Sequence, residues 1–394
     1  MNKKKRNVYL KMKTLAEARK IILNEFDTTG QWAAETIAVA DAVGRVLAEP
    51  VHARLSAPHF HAAAMDGIAV KASATFGASE VQPKQLVTGR DAFWVNTGHV
   101  LPDNTDAVIM IEHIHVMDET TLEIDSPAFP WQHIRKIGED IVATELLFPQ
   151  NHRISPYCLG ALISGGIFSV PVKKKPKILI IPTGSELIDW QQVEENALQP
   201  GQVLDANSYV LGSLAAASGA TVVRHEPLMD DPATLTEKIR LAAHSDVDII
   251  LTVGGSSAGS EDYSKDVIET LGDILVHGVT IMPGKPVIVG NINNKPIFGI
   301  PGYPVSAIIA FEQFVQPLID QFLGQPEKIR QTVPVEPTRK IASKLGLEEF
   351  IRVKLGLVGN RIVATPLPRS AGCITSITEA DGIIRVPSHV EGIK

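Results

Sequence analysis

The residues able to do chemistry fall into short clusters, each beside an apolar run. Pro182-Thr183-Gly184-Ser185-Glu186 follows one run, Asp230-Asp231-Pro232 a second, and Gly254-Gly255-Ser256-Ser257-Ala258-Gly259-Ser260-Glu261-Asp262 a third. Met282-Pro283-Gly284-Lys285-Pro286 precedes a fourth, and Pro301-Gly302-Tyr303-Pro304-Val305-Ser306 follows a fifth. Glycine permits close approach of backbone to a ligand. Backbone N–H groups and serine hydroxyls at a helix start hold phosphate-like anions. Segment 254–262 and Ser306 therefore read as anion-binding, with Lys285 adding positive charge. Glu186, Asp231 and Asp262 offer the hard oxygen ligands that Mg²⁺ takes alongside phosphate. Together these types predict phosphoryl or nucleotidyl chemistry with Mg²⁺. Singly, Asp231 before Pro232 and Asp262 before a helix also suit helix caps, and Glu186 suits a solvated loop. The Walker pattern Gly-x-x-x-x-Gly-Lys-Ser/Thr is absent.

A second set lies within 58–145: Met65-Asp66-Gly67, Asn96-Thr97-Gly98, Asp106, Glu112 and Gly138-Glu139-Asp140. Asp66-Gly67 and Thr97-Gly98 also suit turns. His59, His61, His113, His115 and His133 invite a zinc reading, and His113-x-His115 on a strand would share one face. No tight Cys/His set accompanies them, so they read as surface or packing histidines. Cys158 and Cys373 are too few for a disulfide framework and read as buried thiols.

Several elements must position these clusters. A chain of 394 residues suggests two or three domains. Thr14 with Glu17 predicts a capped helix over 15–26, and a second short helix is expected over 39–47. From 58 to 145, short β-prone runs at 67–70, 85–87, 93–96, 107–112, 121–124 and 131–136 predict an inserted all-β module. Its flanks, 14–57 and 146–176, form an N-terminal linking domain whose first helix packs on the α/β domain. Lys173-Lys174-Lys175-Pro176 reads as a solvated linker.

From 177 to 327, strands at 177–181, 221–224, 247–253, 287–289 and 296–300 alternate with helices at 207–218, 232–244, 263–271 and 304–322. The fold class expected is multidomain α/β plus β, with a doubly wound, mostly parallel sheet in this region. Ligands then bind outside the carboxyl ends of its strands, where the first set of clusters lies. Residues 328–394 are β-like, with a hairpin around Val358-Gly359-Asn360 and a last strand at 381–386. A small β-barrel or sandwich is expected there.

Composition narrows the function. Hydrophobic residues at 44% and charged residues at 21% exclude global disorder. A net charge of −7 argues against a nucleic-acid partner. The basic N-terminus lacks an apolar leader core, and no apolar run is long enough to span a membrane, so a cytoplasmic protein is expected.

One family carries these motifs in this order. Met65-Asp66-Gly67-Ile68-Ala69-Val70, Asn96-Thr97-Gly98, Gly138-Glu139-Asp140-Ile141, Pro182-Thr183-Gly184-Ser185-Glu186-Leu187, Gly254-Gly255-Ser256-Ser257, Asp262-Tyr263, Pro283-Gly284-Lys285-Pro286 and Pro301-Gly302-Tyr303-Pro304-Val305-Ser306 appear in series. Over 14–386 the chain resembles the MoeA family of molybdopterin molybdenumtransferases, related to the E domain of gephyrin. The resemblance implies a homodimer with a linking domain, an inserted β domain, an α/β domain like that of molybdopterin adenylyltransferase, and a C-terminal β domain. It implies Mg²⁺-dependent cleavage of adenylylated molybdopterin, insertion of molybdenum from molybdate, and release of AMP. The adenylyltransferase and apo-molybdoenzymes are implied protein partners.

Family roles carry over by position. Glu186, Asp231 and Asp262 take the metal and nucleotide chemistry, and Ser257, Lys285, Ser306 and Arg352 the molybdate pocket. Thr183, Gly184, Ser185, Gly254, Gly255, Ser256, Pro301 and Gly302 join the cofactor-binding set. Asp66, Thr97 and Asp140 join the catalytic set by reaching the site across the dimer cleft. Two residues depart from the pattern: Met282 stands where many relatives carry Lys, and Ala371 where many carry Ser. Both remove a polar contact to oxyanion. A non-catalytic cofactor-binding scaffold and a molybdopterin adenylyltransferase are the alternative readings. Tyr303 resembles a subgroup often fused to a periplasmic-binding-protein-like domain, which would begin where this sequence ends.

Overall fold

The computed structural model describes residues 12–28, 32–193, 198–254 and 263–393. The chain divides into two compact units, one formed by Ala34–Lys173 and the other by the residues on either side of it.

Within Ala34–Lys173, the strand Ala34–Ala38 pairs antiparallel with Ser169–Lys173, and Val51–His52 pairs with Leu146–Phe148. The helix Pro156–Ser164 packs beside them on a core that includes Val39, Leu47, Ile154, Leu162 and Val170. The helix expected over 39–47 does not form. A single 3-10 turn spans Val39–Asp41, Gly44 takes φ +80°, and Val46 and Leu47 bridge to Arg153 and Val172. Strand-like pairing with a distant segment wins over a short local helix, which is marginal without packing. Lys173 is likewise not part of a solvated linker: it closes a strand, is buried, and burial pushes its pKa down.

The β-rich part of this unit holds two three-stranded antiparallel sheets. In one, Gly67–Val70 lies between Ala92–Val95 and Ala107–Met110; in the other, Thr121–Ile124 lies between Lys84–Val87 and His115–Val116. Ile68, Val70, Leu86, Ile109, Leu122 and Ile124 share their core. The module is not purely β, because one helical turn spans Ala72–Thr75.

The other unit is built on a six-stranded sheet. Its order is Thr221–Arg224, Lys177–Pro182, Ile249–Val253, Lys295–Ile300, Ile288–Ile292, Asp273–His277. The first four strands run parallel, Ile288–Ile292 runs antiparallel to both its neighbours, and Asp273–His277 therefore runs in the direction of the first four. The sheet is therefore mixed. Asn293 and Asn294 adopt φ +52° and +61°, which makes a tight two-residue hairpin turn and reverses the chain. The parallel strands read as continuous apolar runs because both faces are covered; all of Ile249–Val253 is buried. The helix expected over 304–322 is present but changes pitch. Pro304–Ala310 passes through a π segment, Phe311–Val315, into Gln316–Phe322. Pro317 has no N–H to return to the preceding turn, and a widened turn accommodates it.

The first helix, Leu15–Glu25, buries Leu15, Ala18 and Ile22 and packs against Gln316–Phe322 and the strand Asp273–His277. Its capping box is complete: Glu17 N donates to Thr14 Oγ1 at 3.2 Å, and Thr14 N donates to Glu17 Oε2 at 2.9 Å. Thr14→Ala is expected to lower stability by about 1 kcal/mol, read as a shift in the urea midpoint at constant slope.

The C-terminal segment supplies four strands of a five-stranded sheet around Glu348–Val358, which pairs with Arg361–Pro366, Gly382–Val386 and, from outside the segment, Ile281–Met282, while Glu336–Pro337 pairs with Arg361–Pro366. A two-stranded ribbon of Ile341–Ala342 and Gly392–Ile393 shares its core of Ile351, Val353, Ala364 and Val386. Among the described residues no pairing closes this sheet into a barrel. Nor is any helix among them long and apolar enough to cross a membrane.

Candidate active site

A cleft of about 860 Å³ opens at the carboxyl ends of the parallel strands. Its floor is where three strand ends converge. Thr183 N donates to Val253 O at 2.8 Å, Gly254 N to Ile300 O at 3.0 Å, and Gly184 N to Leu228 O at 3.0 Å. Gly254 holds φ +105°, and a Cβ on it would lie 2.2 Å from Thr183 O. Only glycine lets these strand ends approach so closely.

Glu186 stands on this floor. Gly184, at φ +153°, leaves space that the Glu186 carboxylate borders; a Cβ there would meet both carboxylate oxygens at 2.9 Å. Glu186 is exposed to the cleft; its backbone carbonyl accepts from Val203 N at 2.8 Å, while its carboxylate has no hydrogen-bond or ion-pair partner among the described residues. Lys285, carried by the turn before Ile288–Ile292, also lines the cleft.

Asp230 also lines the cleft with its carboxyl group, whereas the sequence points to its neighbour Asp231. Asp230 Oδ2 accepts from Ser185 N at 3.0 Å and Ser185 Oγ at 3.2 Å. Asp231 instead caps the helix Pro232–Ala243, accepting from Thr234 N at 2.9 Å and from the Thr234 hydroxyl. Those bonds, the Thr234 hydroxyl first, hold its pKa below the usual carboxylate range. Asp231 does not line the cleft. The sequence carries a signal for this: with Pro at the first helical position, the residue before it is the cap, and the aspartate preceding the cap is not engaged by the helix.

Of the other expected residues, Thr183, Pro301 and Gly302 line the cleft with Gly184 and Gly254. Ser306 is buried in the first turn of Pro304–Ala310, away from the lining. Arg352 departs most from expectation. It is 2% exposed, outside the lining, and donates to Ser376 Oγ, Phe350 O, Pro368 O and Ser370 O. It thus ties down the loop whose Gly372 reaches the cleft. Burial, partly offset by Cys373, lowers its pKa. Met282 is exposed, and Ala371 contributes its carbonyl to Val305 N at 3.0 Å. Gly255, Ser256, Ser257 and Asp262 lie outside the described residues.

Asp66, Thr97 and Asp140 belong to the other unit. There Thr97 N donates to Asp66 Oδ1 at 2.6 Å, which holds the Asp66 pKa down. Gly67 beside it has no room for a side chain, since a Cβ would fall 1.9 Å from Ile109 O. Asp140 is exposed, and its N–H donates to Ala57 O at 3.1 Å. Of the histidines, His61 accepts at Nδ1 from Ile137 N, and His133 Nδ1 lies 3.2 Å from Val108 O. Cys158 is buried, whereas Cys373 is only half-buried.

Mg²⁺ is the metal expected from the sequence. Among the described residues no group of three or more His, Cys, Asp or Glu side chains forms a metal cage. Two carboxylates facing a cleft, Glu186 and Asp230, still fit Mg²⁺, which commonly takes one or two carboxylates and completes its shell with water and substrate phosphates.

Likeness to known proteins extends over most of the chain. The family model described as "MoeA N-terminal region (domain I and II)" matches residues 13–166, "Probable molybdopterin binding domain" matches 179–321, and "MoeA C-terminal region (domain IV)" matches 334–394. A putative molybdopterin biosynthesis protein of Methanocaldococcus jannaschii is 35% identical over 365 residues, covering 90% of this chain and 88% of the relative. A molybdopterin molybdenumtransferase of Haemophilus influenzae is 32% identical over 328 residues, covering 80% of this chain and 79% of the relative. The crystal structure of a MoeA molybdopterin biosynthesis protein from Pyrococcus horikoshii superimposes with a TM-score of 0.82 at 32% identity, covering 97% of this chain and 96% of that one. The expectation of a fused periplasmic-binding-protein-like domain finds no support in these likenesses.

Proposed function

The chain belongs to the MoeA family, and on that premise we propose that it is a molybdopterin molybdenumtransferase. It takes adenylylated molybdopterin and molybdate, forms two Mo–S bonds to the pterin dithiolene as one molybdate oxygen leaves as water with the two thiol protons, and releases AMP. The observation that carries this reading is the cleft at the strand ends, with Glu186, Asp230 and Lys285 on a floor built from glycine.

The reaction breaks the phosphoanhydride P–O bond between the adenylate and the pterin phosphate. Water supplies the oxygen, AMP leaves, and the pterin keeps its own phosphate. Glu186 and Asp230 are the residues that would hold Mg²⁺, whose chemistry is to neutralise charge on the phosphate oxygens. Lys285 binds an anionic oxygen of phosphate or molybdate through a charge-assisted hydrogen bond. Gly184, Gly254 and Gly302 let those oxygens reach backbone level. Ser256, Ser257 and Asp262 follow Gly254 closely in sequence and are assigned to nucleotide and oxyanion binding. Asp66, Thr97 and Asp140 complete the site of a second copy in a homodimer. The division into 14–57 with 146–176, 58–145, 177–327 and 328–394, and a cytoplasmic location, belong to the same proposal.

Incubation with adenylylated molybdopterin and Mg²⁺, with and without molybdate or tungstate, tests it. Oxyanion-dependent AMP release is the expected result. A second reading, a binding scaffold without turnover, draws on two observations. Arg352 gives its donors to carbonyl and hydroxyl oxygens of its own chain, and an apolar side chain stands at Met282. Tight binding with no AMP release at any oxyanion concentration would establish the scaffold and overturn the transferase.

A further inference from the structure

The cleft has a wall that the proposed chemistry does not use. Leu187–Ile188 and Val203–Leu204 pair in parallel as a two-stranded ribbon outside the main sheet. Leu187, Val203 and Leu204 line the cleft, with Val203 51% exposed. An aspartate directly follows each ribbon strand, Asp189 after one and Asp205 after the other. Both are buried, at 4% and 2% exposure. Such short strands cannot hold themselves in place in water.

What holds them comes from the main sheet. Arg224 ends the edge strand Thr221–Arg224 and reaches both aspartates. Its Nη2 is 2.7 Å from Asp189 Oδ2, and its Nη1 is 3.8 Å from Asp205 Oδ2. The guanidinium stacks 3.9 Å over the Tyr209 ring, and the Tyr209 hydroxyl donates to Asp189 Oδ1 at 2.8 Å. Asp205 N donates to Ile188 O at 2.9 Å, and Asp205 also accepts from Ser208 N at 3.1 Å. Burial raises the Asp189 pKa, but bonds from Gln191 N, Arg224 and Tyr209 outweigh it and hold the carboxylate ionised. Arg224 Nη1 is buried with no hydrogen-bond partner, so the guanidinium is held by charge across two carboxylates rather than by a complete bonding set. Removing it would leave two buried carboxylates without their cation, which loosens both ends of the ribbon.

The ribbon end is also joined to an exposed aromatic. Asn207 Nδ2 donates to Gly302 O at 2.7 Å, and Gly302 precedes Tyr303. Tyr303 is 68% exposed and lines the same cleft. Apolar side chains and an aromatic ring exposed together in the cleft suit a flat ring, which covers apolar surface and stacks on the aromatic face.

We propose that Arg224 is a positioning residue, which holds the Leu187–Ile188/Val203–Leu204 ribbon so that its apolar side chains and Tyr303 seat a flat fused-ring heterocycle of the substrate. This rests on the transferase reading, whose substrate carries two such rings, a purine and a pterin.

Calorimetric titration with AMP, neopterin and ribose 5-phosphate tests it on the full chain. Ribose 5-phosphate carries the sugar phosphate without the base, so a general loss of structure would weaken it as well. Arg224→Met is expected to weaken AMP or neopterin at least tenfold and to leave ribose 5-phosphate within twofold. Arg224→Lys, which keeps the charge, restores part of the loss. The ligand that weakens identifies which ring occupies the seat. Leu204→Ser, at an exposed ribbon position, covers the case in which Arg224→Met fails to fold. It is expected to raise KM for adenylylated molybdopterin with kcat little changed. Ring-bearing ligands that bind both variants as they bind the wild type overturn the seat. That result with oxyanion-dependent AMP release intact leaves the transferase standing. Ring binding that falls in the variants of a protein that never releases AMP keeps the seat and removes the transferase.

Discussion

Glu186→Gln is expected to reduce AMP release by about a hundredfold or more while leaving the melting temperature unchanged. The side chain is exposed on the cleft floor and has no partner among the described residues, so the fold does not depend on its charge. A substitution at such a position changes stability by roughly 0.5 kcal/mol or less. The reaction, in contrast, gathers negative charge on phosphate oxygens, and exchanging the carboxylate for a neutral amide leaves the neutralising cation with one negative charge less to hold it. A hundredfold corresponds to about 2.7 kcal/mol of barrier, within the range for losing one preorganised electrostatic contact. The Mg²⁺ concentration for half-maximal turnover should rise in the same variant. Turnover within threefold of wild type, at an unchanged Mg²⁺ requirement, would remove Glu186 from the site. Asp230→Asn would then be the next substitution, although it also loosens Ser185, which donates to Asp230 twice.

Gly254→Ala should destabilise the protein by about 3 kcal/mol or more and abolish AMP binding. Two effects add at this position. The φ of +105° is costly for any residue with a Cβ, by about 1 kcal/mol or more. The new Cβ would also overlap Thr183 O, which it approaches to 2.2 Å. Neither partner can step aside, because Thr183 N is bonded to Val253 O and Gly254 N to Ile300 O. Relief requires the strand ends to part, and the cleft floor parts with them. Gly201→Ala separates the two effects. Gly201 has φ +94° but nothing within 4 Å of a built Cβ, so it carries only the backbone cost. Urea unfolding of both variants should show the larger midpoint shift for Gly254→Ala. Equal shifts would show that contact with Thr183 is not the cause.

Much of the fold was legible because its signals are local. The capping box at Thr14 and Glu17 spans one helical turn, and the structure forms it as read. The buried strands Lys177–Pro182 and Ile249–Val253 announce themselves as apolar runs. The strand Asp273–His277 had no such signal. It mixes Asp and His with aliphatic residues and exists because Ile288–Ile292 offers it an edge. The ribbon was equally hidden: each strand has only two residues, and its partner lies beyond the intervening residues 189–202. The helix expected over 39–47 failed for the converse reason, since Val46 and Leu47 find strand partners more than a hundred residues away.

The candidate site divides along the same line. Residue types and their order alone determined that carboxylates, glycines and a lysine gather at the ends of an α/β sheet, and which family the chain resembles. These are properties of runs, caps and turns, decided within a few residues along the chain. Tertiary structure decided which carboxylate faces the cleft. Asp230 and Asp231 are chemically identical neighbours, and the helix that Asp231 caps turns the other toward Ser185. It also decided that Arg352 is buried among carbonyls of its own chain, and that Arg224 fastens a wall of the cleft. A side chain's partners depend on strand register and on segments remote in sequence, and no local pattern encodes them.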